Sequence, residues 1–220
     1  MFGSLVGQIA TFAKAQTLEA ILNKQHTKMT ETFFTYTDKI VNFTKADKEL
    51  LASALSFRQV KTKTELVSYD KRTDELFFLL KGCLRKYYVK DGQQITIYIT
   101  TENSFIGAFD SFITGTTSKE TIETLEPAEL LVLNKKDLDK LYKEIPLMNE
   151  FVRKTLELTL IQFQQALTSF ILDSPEERYT KLLSQNPEIL QRVPQHMLAT
   201  YLGITATSLS RIRKRILEKP

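Results

Sequence analysis

The residues best suited to chemistry lie near the C-terminus, where hydroxyl and cationic side chains recur at helical spacing. Within ATSLSRIRKRIL, apolar Leu209, Ile212 and Ile216 follow one another at intervals of three and four, which gives a helix one buried face. The opposite face would carry Thr207, Ser208, Ser210, Arg211 and Lys214. Arginine can donate two hydrogen bonds to O6 and N7 of guanine, whereas hydroxyl and lysine side chains suit phosphates or mixed contacts. The pattern therefore predicts a helix that lies in a DNA groove.

A shorter helical pattern precedes this segment and would position it. Leu198, Ala199 and Leu202 share one face of that first helix. Gly203 stands where the chain has to turn, usually with positive φ, and Thr205 is a favourable N-cap for the second helix. Two helices joined in this way form a helix-turn-helix, which places its second helix in the major groove. An ordinary helical hairpin with a solvated basic surface would show the same pattern, so the rest of the chain must decide.

The charge distribution and the small numbers of cysteines and histidines argue against several classes of function. The formal net charge of the 220 residues is only +4, but the run from Arg211 to Pro220 has five basic residues against one Glu, and so carries as much net charge as the whole chain. One cysteine and two histidines exclude an internal disulfide and a four-cysteine zinc or iron–sulfur site. They also argue against a conventional Cys–His or Ser–His hydrolase. We therefore predict no catalytic residues, no metal site and no enzyme activity.

The single cysteine, Cys83, fits a reducing cytoplasm, where we expect the protein to be found. It lies in the strand-like run LLKGCLRKYYV, which predicts a small buried side chain rather than a reactive one.

The middle of the chain predicts a β domain. Residues 30–57 have a helical pattern, but between residues 58 and 133 short β-rich runs alternate with turn signals. Asp91-Gly92 between two alternating runs is a strong hairpin signal. The predicted strands cover residues 77–80, 83–89, 95–99, 104–109 and 130–133. Many short strands with regular turns favour a sandwich or β-roll.

A long helix is predicted from Pro146 to about Leu172, after a shorter one over residues 135–142. Its apolar residues at 4-3-4-3 spacing are Leu156, Leu160, Phe163, Leu167 and Phe170. That spacing is typical of a coiled-coil seam. One alternative is that the helix packs along its own β domain and has no other partner. However, the helix has more apolar positions than packing through one face needs. We therefore predict that the seam is the interface of a two-fold homodimer.

These patterns divide the chain into four parts. They are an accessory N-terminal segment (1–29), a β-roll domain (30–145), a dimerisation helix (146–172) and a helix-turn-helix DNA-binding domain (173–220). We expect the first segment to be a helix that packs on the body or on a partner subunit. It lacks a basic n-region, and Lys14 and Glu19 interrupt its apolar positions, so we predict neither a signal peptide nor a membrane span.

The order helix, β-roll, long helix, hinge and helix-turn-helix resembles the Crp/Fnr family of bacterial transcription regulators, over roughly residues 30–217. The segments that carry the resemblance are FLLKGCLR (78–85), SFIG (104–107) with SF (111–112), PEERY (175–179), VPQ (193–195), YLGIT (201–205) and SLSRIRK (208–214). The resemblance implies an α+β fold. It consists of an N-terminal double-stranded β-helix (a jelly roll of the cyclic-nucleotide-binding type), a long dimerisation helix and a C-terminal all-α helix-turn-helix domain.

The resemblance also implies an effector pocket in the β-roll, formed by Ile106, Gly107, Ala108, Phe109, Ser118 and Lys119. Ala108 stands where the family has a Glu for the ribose, and residues 116–119 (TTSK) occupy the region of its phosphate-binding Arg-Ser pair. Lys119 offers only a point charge in place of a bidentate arginine, which argues against cAMP binding of the usual kind. The cysteine cluster of the iron–sulfur members is missing and no haem ligand is evident, so no cofactor is predicted.

On the second helix of the pair, Arg211 matches the guanine-reading arginine of the family, and Thr207 stands where many relatives have a Glu that accepts from cytosine. With the start of the first helix included, the predicted DNA-contacting residues are Thr205, Thr207, Ser208, Ser210, Arg211, Lys214, Gln195 and His196.

The sequence thus predicts a sequence-specific, DNA-binding transcription regulator that binds a roughly palindromic site as a homodimer. An unidentified small effector in the β-roll would control it, RNA polymerase would be a further partner, and no membrane association is expected. The alternative is a ligand-sensing module that acts through protein contacts, with the helical tail as the interface. An enzyme on a cupin-like β-roll would lack its metal ligands.

Overall fold

A computed structural model describes residues 30–218, so the accessory helix expected in residues 1–29 lies outside the described residues. The helices are α1 (residues 30–37), α2 (Lys45–Ala54), α3 (Phe109–Thr114), α4 (Lys135–Glu144), α5 (Leu147–Leu172), α6 (Pro175–Gln185), α7 (Pro187–Arg192), α8 (Gln195–Tyr201) and α9 (Ala206–Leu217). The strands are β1 (Leu55–Val60), β2 (Glu65–Val67), β3 (Glu75–Lys81), β4 (Leu84–Lys90), β5 (Gln93–Thr100), β6 (Ser104–Ile106), β7 (Thr121–Thr124) and β8 (Ala128–Asn134). The predicted α+β architecture of jelly-roll domain, long helix and all-α helix-turn-helix unit is confirmed.

Two antiparallel four-stranded sheets form the β-roll, with strand orders β1-β8-β3-β6 and β2-β7-β4-β5. The predicted hairpin joins β4 to β5, because Lys90 pairs with Gln93 and leaves a two-residue loop. Asp91 and Gly92 in that loop have φ of 52° and 74°, as a type I′ turn requires. β5 is an edge strand of its sheet.

The helical region predicted over residues 30–57 is divided in two and ends earlier. α1 stops at residue 37, and Thr44 starts α2 with a capping box: its hydroxyl accepts from the Asp47 amide at 3.2 Å, while the Asp47 carboxylate accepts from the Thr44 amide at 3.0 Å. Leu55 then begins β1, where it pairs with Leu133 of β8.

The strand predicted over residues 104–109 is also too long, because β6 ends at Ile106 and α3 begins at Phe109. Buried Ser111 holds this helical turn. Its hydroxyl donates to the carbonyl of Thr116 at 2.7 Å and accepts from the amide of Thr73 at 3.0 Å.

Three buried clusters organise the described residues. In the first, the rings of Phe33, Phe78 and Phe105 meet edge to face with centroids 5.0–6.1 Å apart, where the first helices cover the roll. The second fills the space between the sheets with side chains such as Phe77 and Leu84. The third lies mainly within α6–α9 but also includes two residues of the β-roll.

The long helix α5 has 26 residues, about 39 Å at 1.5 Å per residue. Only Met148 and Phe151, in its first turns, are buried, and every residue from 161 to 168 is exposed. Among the described residues, no helix is both long and apolar enough to cross a membrane.

Candidate nucleic-acid interface

The turn between α8 and α9 is built by backbone hydrogen bonds and one glycine. The Gly203 amide donates to the Thr200 carbonyl at 3.0 Å, and the Ile204 amide donates to the Ala199 carbonyl at 2.9 Å. This pair of bonds is a Schellman motif, which needs a left-handed residue after the helix, and Gly203 has φ +70°. The predicted turn is confirmed.

We expect Gly203→Ala to lower the free energy of unfolding by about 1–3 kcal/mol, because a side chain at positive φ is strained. The added Cβ would also lie 2.5 Å from Cζ of Phe170, which would have to move. Gly115→Ala is the matched control, since Gly115 has φ +71° and no atom within 4 Å of its added Cβ. Urea unfolding of both variants separates the φ cost from the Phe170 contact. Equal losses would show that the contact contributes nothing.

Helix α9 begins as predicted, because the Thr205 hydroxyl accepts from the Ser208 amide at 3.1 Å. Leu209 and Ile212 are buried in the cluster they share with Leu198 and Leu202, so one face of α9 packs on α8. The other face points to solvent.

The structure places all eight predicted DNA-contacting residues on this helix pair. Thr207, Ser210, Arg211 and Lys214 are exposed on α9, while Thr205 and Ser208 share the N-cap. Gln195 and His196 are exposed in the first turn of α8. The Gln195 side-chain amide donates to the Ala206 carbonyl at 3.4 Å and links the starts of the two helices.

The cations of α9 differ in their partners. Lys214 lies 3.7 Å from Glu218, and Arg215 lies 3.1 Å from Glu176. Arg211 has no acidic partner within residues 30–218. Exposed ion pairs contribute little, so both lysine and arginine side chains can turn toward an anionic ligand.

Arg178 fixes the helix pair to the end of α5, a role that the sequence does not reveal. Its guanidinium donates to the carbonyls of Leu202 at 2.8 Å and Asp173 at 2.7 Å, and it stacks 4.7 Å from the Phe170 ring centroid. Leu202 is the C-cap of α8, so one arginine joins the long helix to the turn of the helix-turn-helix. In the sequence, Arg178 belongs to PEERY, one of the segments that carry the family resemblance, and no local pattern indicates its contacts.

The predicted effector residues surround the start of α3. Ile106, Gly107, Ala108 and Ser118 are buried, Phe109 is half-buried, and Lys119 is exposed. The Ser118 hydroxyl donates to the backbone carbonyl of Glu120 at 2.8 Å. Lys119 therefore points away from the roll, and the Ser118 hydroxyl has a partner within the chain.

An ion pair that the sequence did not predict occupies the same region. Buried Lys86 of β4 lies 2.7 Å from the carboxylate of buried Glu120 and donates to the Gly107 carbonyl at 2.7 Å. Its ammonium lies 5.6 Å from the Phe109 ring centroid, and the Tyr88 hydroxyl donates to Glu120 at 3.3 Å. The charge of Lys86 is already neutralised, and a buried phosphodiester would meet the Glu120 carboxylate. These residues do not fit a cyclic phosphate.

In the described part of the chain, no group of three or more His, Cys, Asp or Glu side chains could hold a metal ion.

The five predicted seam residues of α5 are all exposed, from 49% for Leu156 to 68% for Leu160. Two of them also have contacts within the chain. The ring centroids of Phe163 and Tyr98 are 6.1 Å apart, and the Arg178 guanidinium stacks on the Phe170 ring. Leu160 and Leu167 are the most exposed residues of the seam, at 68% and 62%.

Comparison with known proteins agrees with this architecture. Residues 57–144 match the family described as the cyclic nucleotide-binding domain. No curated protein matches the chain significantly.

Among solved structures, the c-di-GMP-responsive global regulator CLP of Xanthomonas campestris is similar at a TM-score of 0.63 and 17% identity, over 79% of this chain and 92% of that one. FixK2 of Bradyrhizobium japonicum gives 0.62 and 13%, over 74% and 84%. A candidate Crp/Fnr transcriptional regulator of Eubacterium rectale gives 0.62 and 17%, over 80% and 84%. Residues 57–144 therefore match a cyclic nucleotide-binding domain, and the chain has the same fold as these solved structures.

Proposed function

We propose that this protein is a bacterial, cytoplasmic transcription regulator that binds DNA in a sequence-specific manner as a homodimer. The observation that carries the proposal is the exposed face of α9. It presents Arg211 without an acidic partner among the described residues, beside Thr207, Ser210 and Lys214, on a helix whose opposite face is buried. Major-groove recognition requires this division of one short helix.

The exposed seam of α5 supports the dimer. Leu160 and Leu167 lie seven residues apart and are 68% and 62% exposed, so they repeat on one stripe of the helix. A second copy of the same helix offers the same stripe, and a two-fold axis lets each copy cover the other. Two α9 helices related by that axis would enter major grooves about 34 Å apart on a roughly palindromic site.

Binding of labelled DNA measured by fluorescence anisotropy tests the proposal. We expect a DNA selected for binding to be held at least about a thousandfold more tightly than random DNA at the same salt concentration. Equal affinity for both would favour the alternative function, a ligand-sensing module that acts through protein contacts.

We expect Lys214→Ala to weaken binding to all DNA sequences to a similar degree. Lysine on this face would contact phosphate, so its loss should also reduce the salt slope by about 1. Lys140→Ala is the matched control, because Lys140 forms the same kind of exposed i,i+4 pair with Glu144 on α4, at 3.8 Å. Loss of affinity at one sequence alone would show that Lys214 reads a base.

We also propose that the β-roll does not bind cAMP in the usual way of its family. The Lys86–Glu120 pair and the outward position of Lys119 support this. In a calorimetric titration of the full chain with cAMP we expect no saturable heat. Micromolar binding would contradict the proposal and would mean that Glu120 leaves Lys86 when a phosphate enters. An effector of other chemistry and RNA polymerase are further partners that we propose for a regulator of this kind.

A further inference from the structure

The helix-turn-helix unit (α6–α9) packs on the β-roll of the same chain. Cys83 and Ile99 of the roll belong to the buried cluster of α6–α9, together with Ile189, Val193 and Leu198. α8 also lies against β5, the edge strand of its sheet. We call this contact region the domain joint.

Three carboxylate–guanidinium contacts add polar specificity to the domain joint. Arg192, at the end of α7, donates to both carboxylate oxygens of Glu102, at 2.7 and 2.9 Å, and also pairs with Glu126. Glu102 accepts in turn from the Gly82 amide at 2.8 Å, which fixes its position on the roll. The hydrogen bonds from Arg192 hold the pKa of Glu102 at about 2, so this carboxylate is ionised at neutral pH.

A second polar contact covers the free edge of the sheet. The Thr96 amide of β5 donates to the Thr200 hydroxyl of α8 at 3.2 Å. An unpaired amide on an edge strand needs such a partner, and here the first helix of the DNA-binding pair supplies it.

The DNA-contacting face remains open while the domain joint is closed. Thr207, Ser210, Arg211 and Lys214 are exposed, and so are Gln195 and His196. The domain joint therefore does not cover α9, which we call the recognition helix because it would read the DNA. What it constrains is the direction in which that helix points relative to the β-roll and α5.

We propose that Arg192, through Glu102 and Glu126, holds the helix-turn-helix unit at one orientation on its own β-roll, so that the roll determines where each recognition helix meets DNA. The part of this inference that concerns DNA rests on the proposed function, whereas the part that concerns the domain joint does not. Glu102 lies only two residues before β6, which leads into the predicted effector region.

Cys83 provides a direct measurement of the domain joint. It is the only cysteine of the chain and is fully buried inside the joint, where burial raises the pKa of its thiol to about 12. A thiol reagent can therefore reach it only when the structure opens, and the labelling rate follows the population of the open form. The signal from the full chain belongs to this single residue.

In the 220-residue chain, we expect Arg192→Ala to raise the rate at which Ellman's reagent labels Cys83 by about 10- to 100-fold, the effect of losing charge-assisted hydrogen bonds. The matched control is Arg58→Ala. Arg58 makes a similar bidentate pair with Glu75, at 2.8 and 2.5 Å, but within the β-roll. We expect this control to change labelling by no more than about twofold, because its pair does not cross the domain joint.

Thr200→Val is a second variant, which keeps the side-chain shape. It removes the hydroxyl that accepts from the Thr96 amide across the domain joint and donates to the Met197 carbonyl within α8. We expect it to raise labelling by about 2- to 10-fold. Unchanged labelling in both Arg192→Ala and Thr200→Val, with thermal unfolding like that of the unsubstituted chain, would overturn the proposal. Equal acceleration by Arg58→Ala would also overturn it, because labelling would then follow global stability.

DNA supplies the second measurement. The unsubstituted protein should prefer DNA with one particular spacing between its two half-sites. We expect Arg192→Ala to bind this DNA, and a DNA with two base pairs inserted between the half-sites, with similar affinity. Retained spacing preference in a variant with fast Cys83 labelling would show that the domain joint does not orient the recognition helix. Failure to bind any DNA would refute the proposed function but leave the thiol result on the domain joint intact.

Discussion

A chain that carries both Leu160→Asp and Leu167→Asp is expected to be monomeric and to bind a two-half-site DNA about 100- to 10,000-fold more weakly than the unsubstituted chain. Both side chains lie on the exposed stripe of α5, and a carboxylate buried in an apolar helix seam costs several kcal/mol unless it is paired. The affinity for DNA falls because a dimer engages both half-sites at once, and the second contact adds to the affinity of the first. A monomer has only one recognition helix and therefore loses this gain.

Sedimentation equilibrium gives the oligomeric state, and anisotropy on DNA with one or two half-sites gives the affinity. Ile113→Asp is the matched control, because Ile113 is equally exposed at 66% but lies on α3, away from the seam. The control should remain dimeric. A double variant that stays dimeric, or a monomer that binds the two-half-site DNA with full affinity, would refute the dimer seam.

The second large effect is expected for Arg211→Ala, which should lose about 1–3 kcal/mol of binding at the preferred site, or about 5- to 150-fold in affinity. Arg211 is exposed on α9, one turn beyond Thr207, and an arginine on such a face can donate two hydrogen bonds to guanine. Its loss should relax specificity at one base pair in each half-site.

Arg213→Ala is the charge-matched control on the same helix. It removes one positive charge but from a different side of α9, so it should weaken binding to all sequences alike. Measurement on DNAs with single base-pair changes separates the two variants. A loss by Arg211→Ala that is equal on every sequence would show that Arg211 contacts only phosphate.

The parts of the fold that the sequence predicted are those with local causes. Gly203 and Thr205 determine the turn of the helix-turn-helix through backbone conformation and capping, and Asp91-Gly92 determines the hairpin. Each of these signals acts within a few residues, so it can be recognised without knowledge of the rest of the chain.

The parts that were not predicted depend on partners far apart in sequence. Arg192 and Glu102 are 90 residues apart in sequence, and Lys86 of β4 meets Glu120, the residue before the neighbouring strand β7. Neither pairing follows from spacing or periodicity, because only the packed fold brings the charges together. The end of β6 was missed for a related reason, since the hydrogen bond from Thr73 to Ser111 is also long-range.

The candidate site was predicted in part for the same reasons. The helical period placed Arg211 and its neighbours on an exposed face, but it could not show that Phe163 and Phe170 of the seam also pack against Tyr98 and Arg178. The apolar stripe of a helix does not by itself show which of its residues another segment of the chain will cover.

Selection of bound DNA from a random pool tests the central claim most directly, because it assumes neither a target sequence nor an effector. The proposed function predicts enrichment of one sequence with two-fold symmetry, with half-site centres about one helical turn apart. Bound DNA that shows no enriched sequence, or an enriched sequence without symmetry, would contradict it.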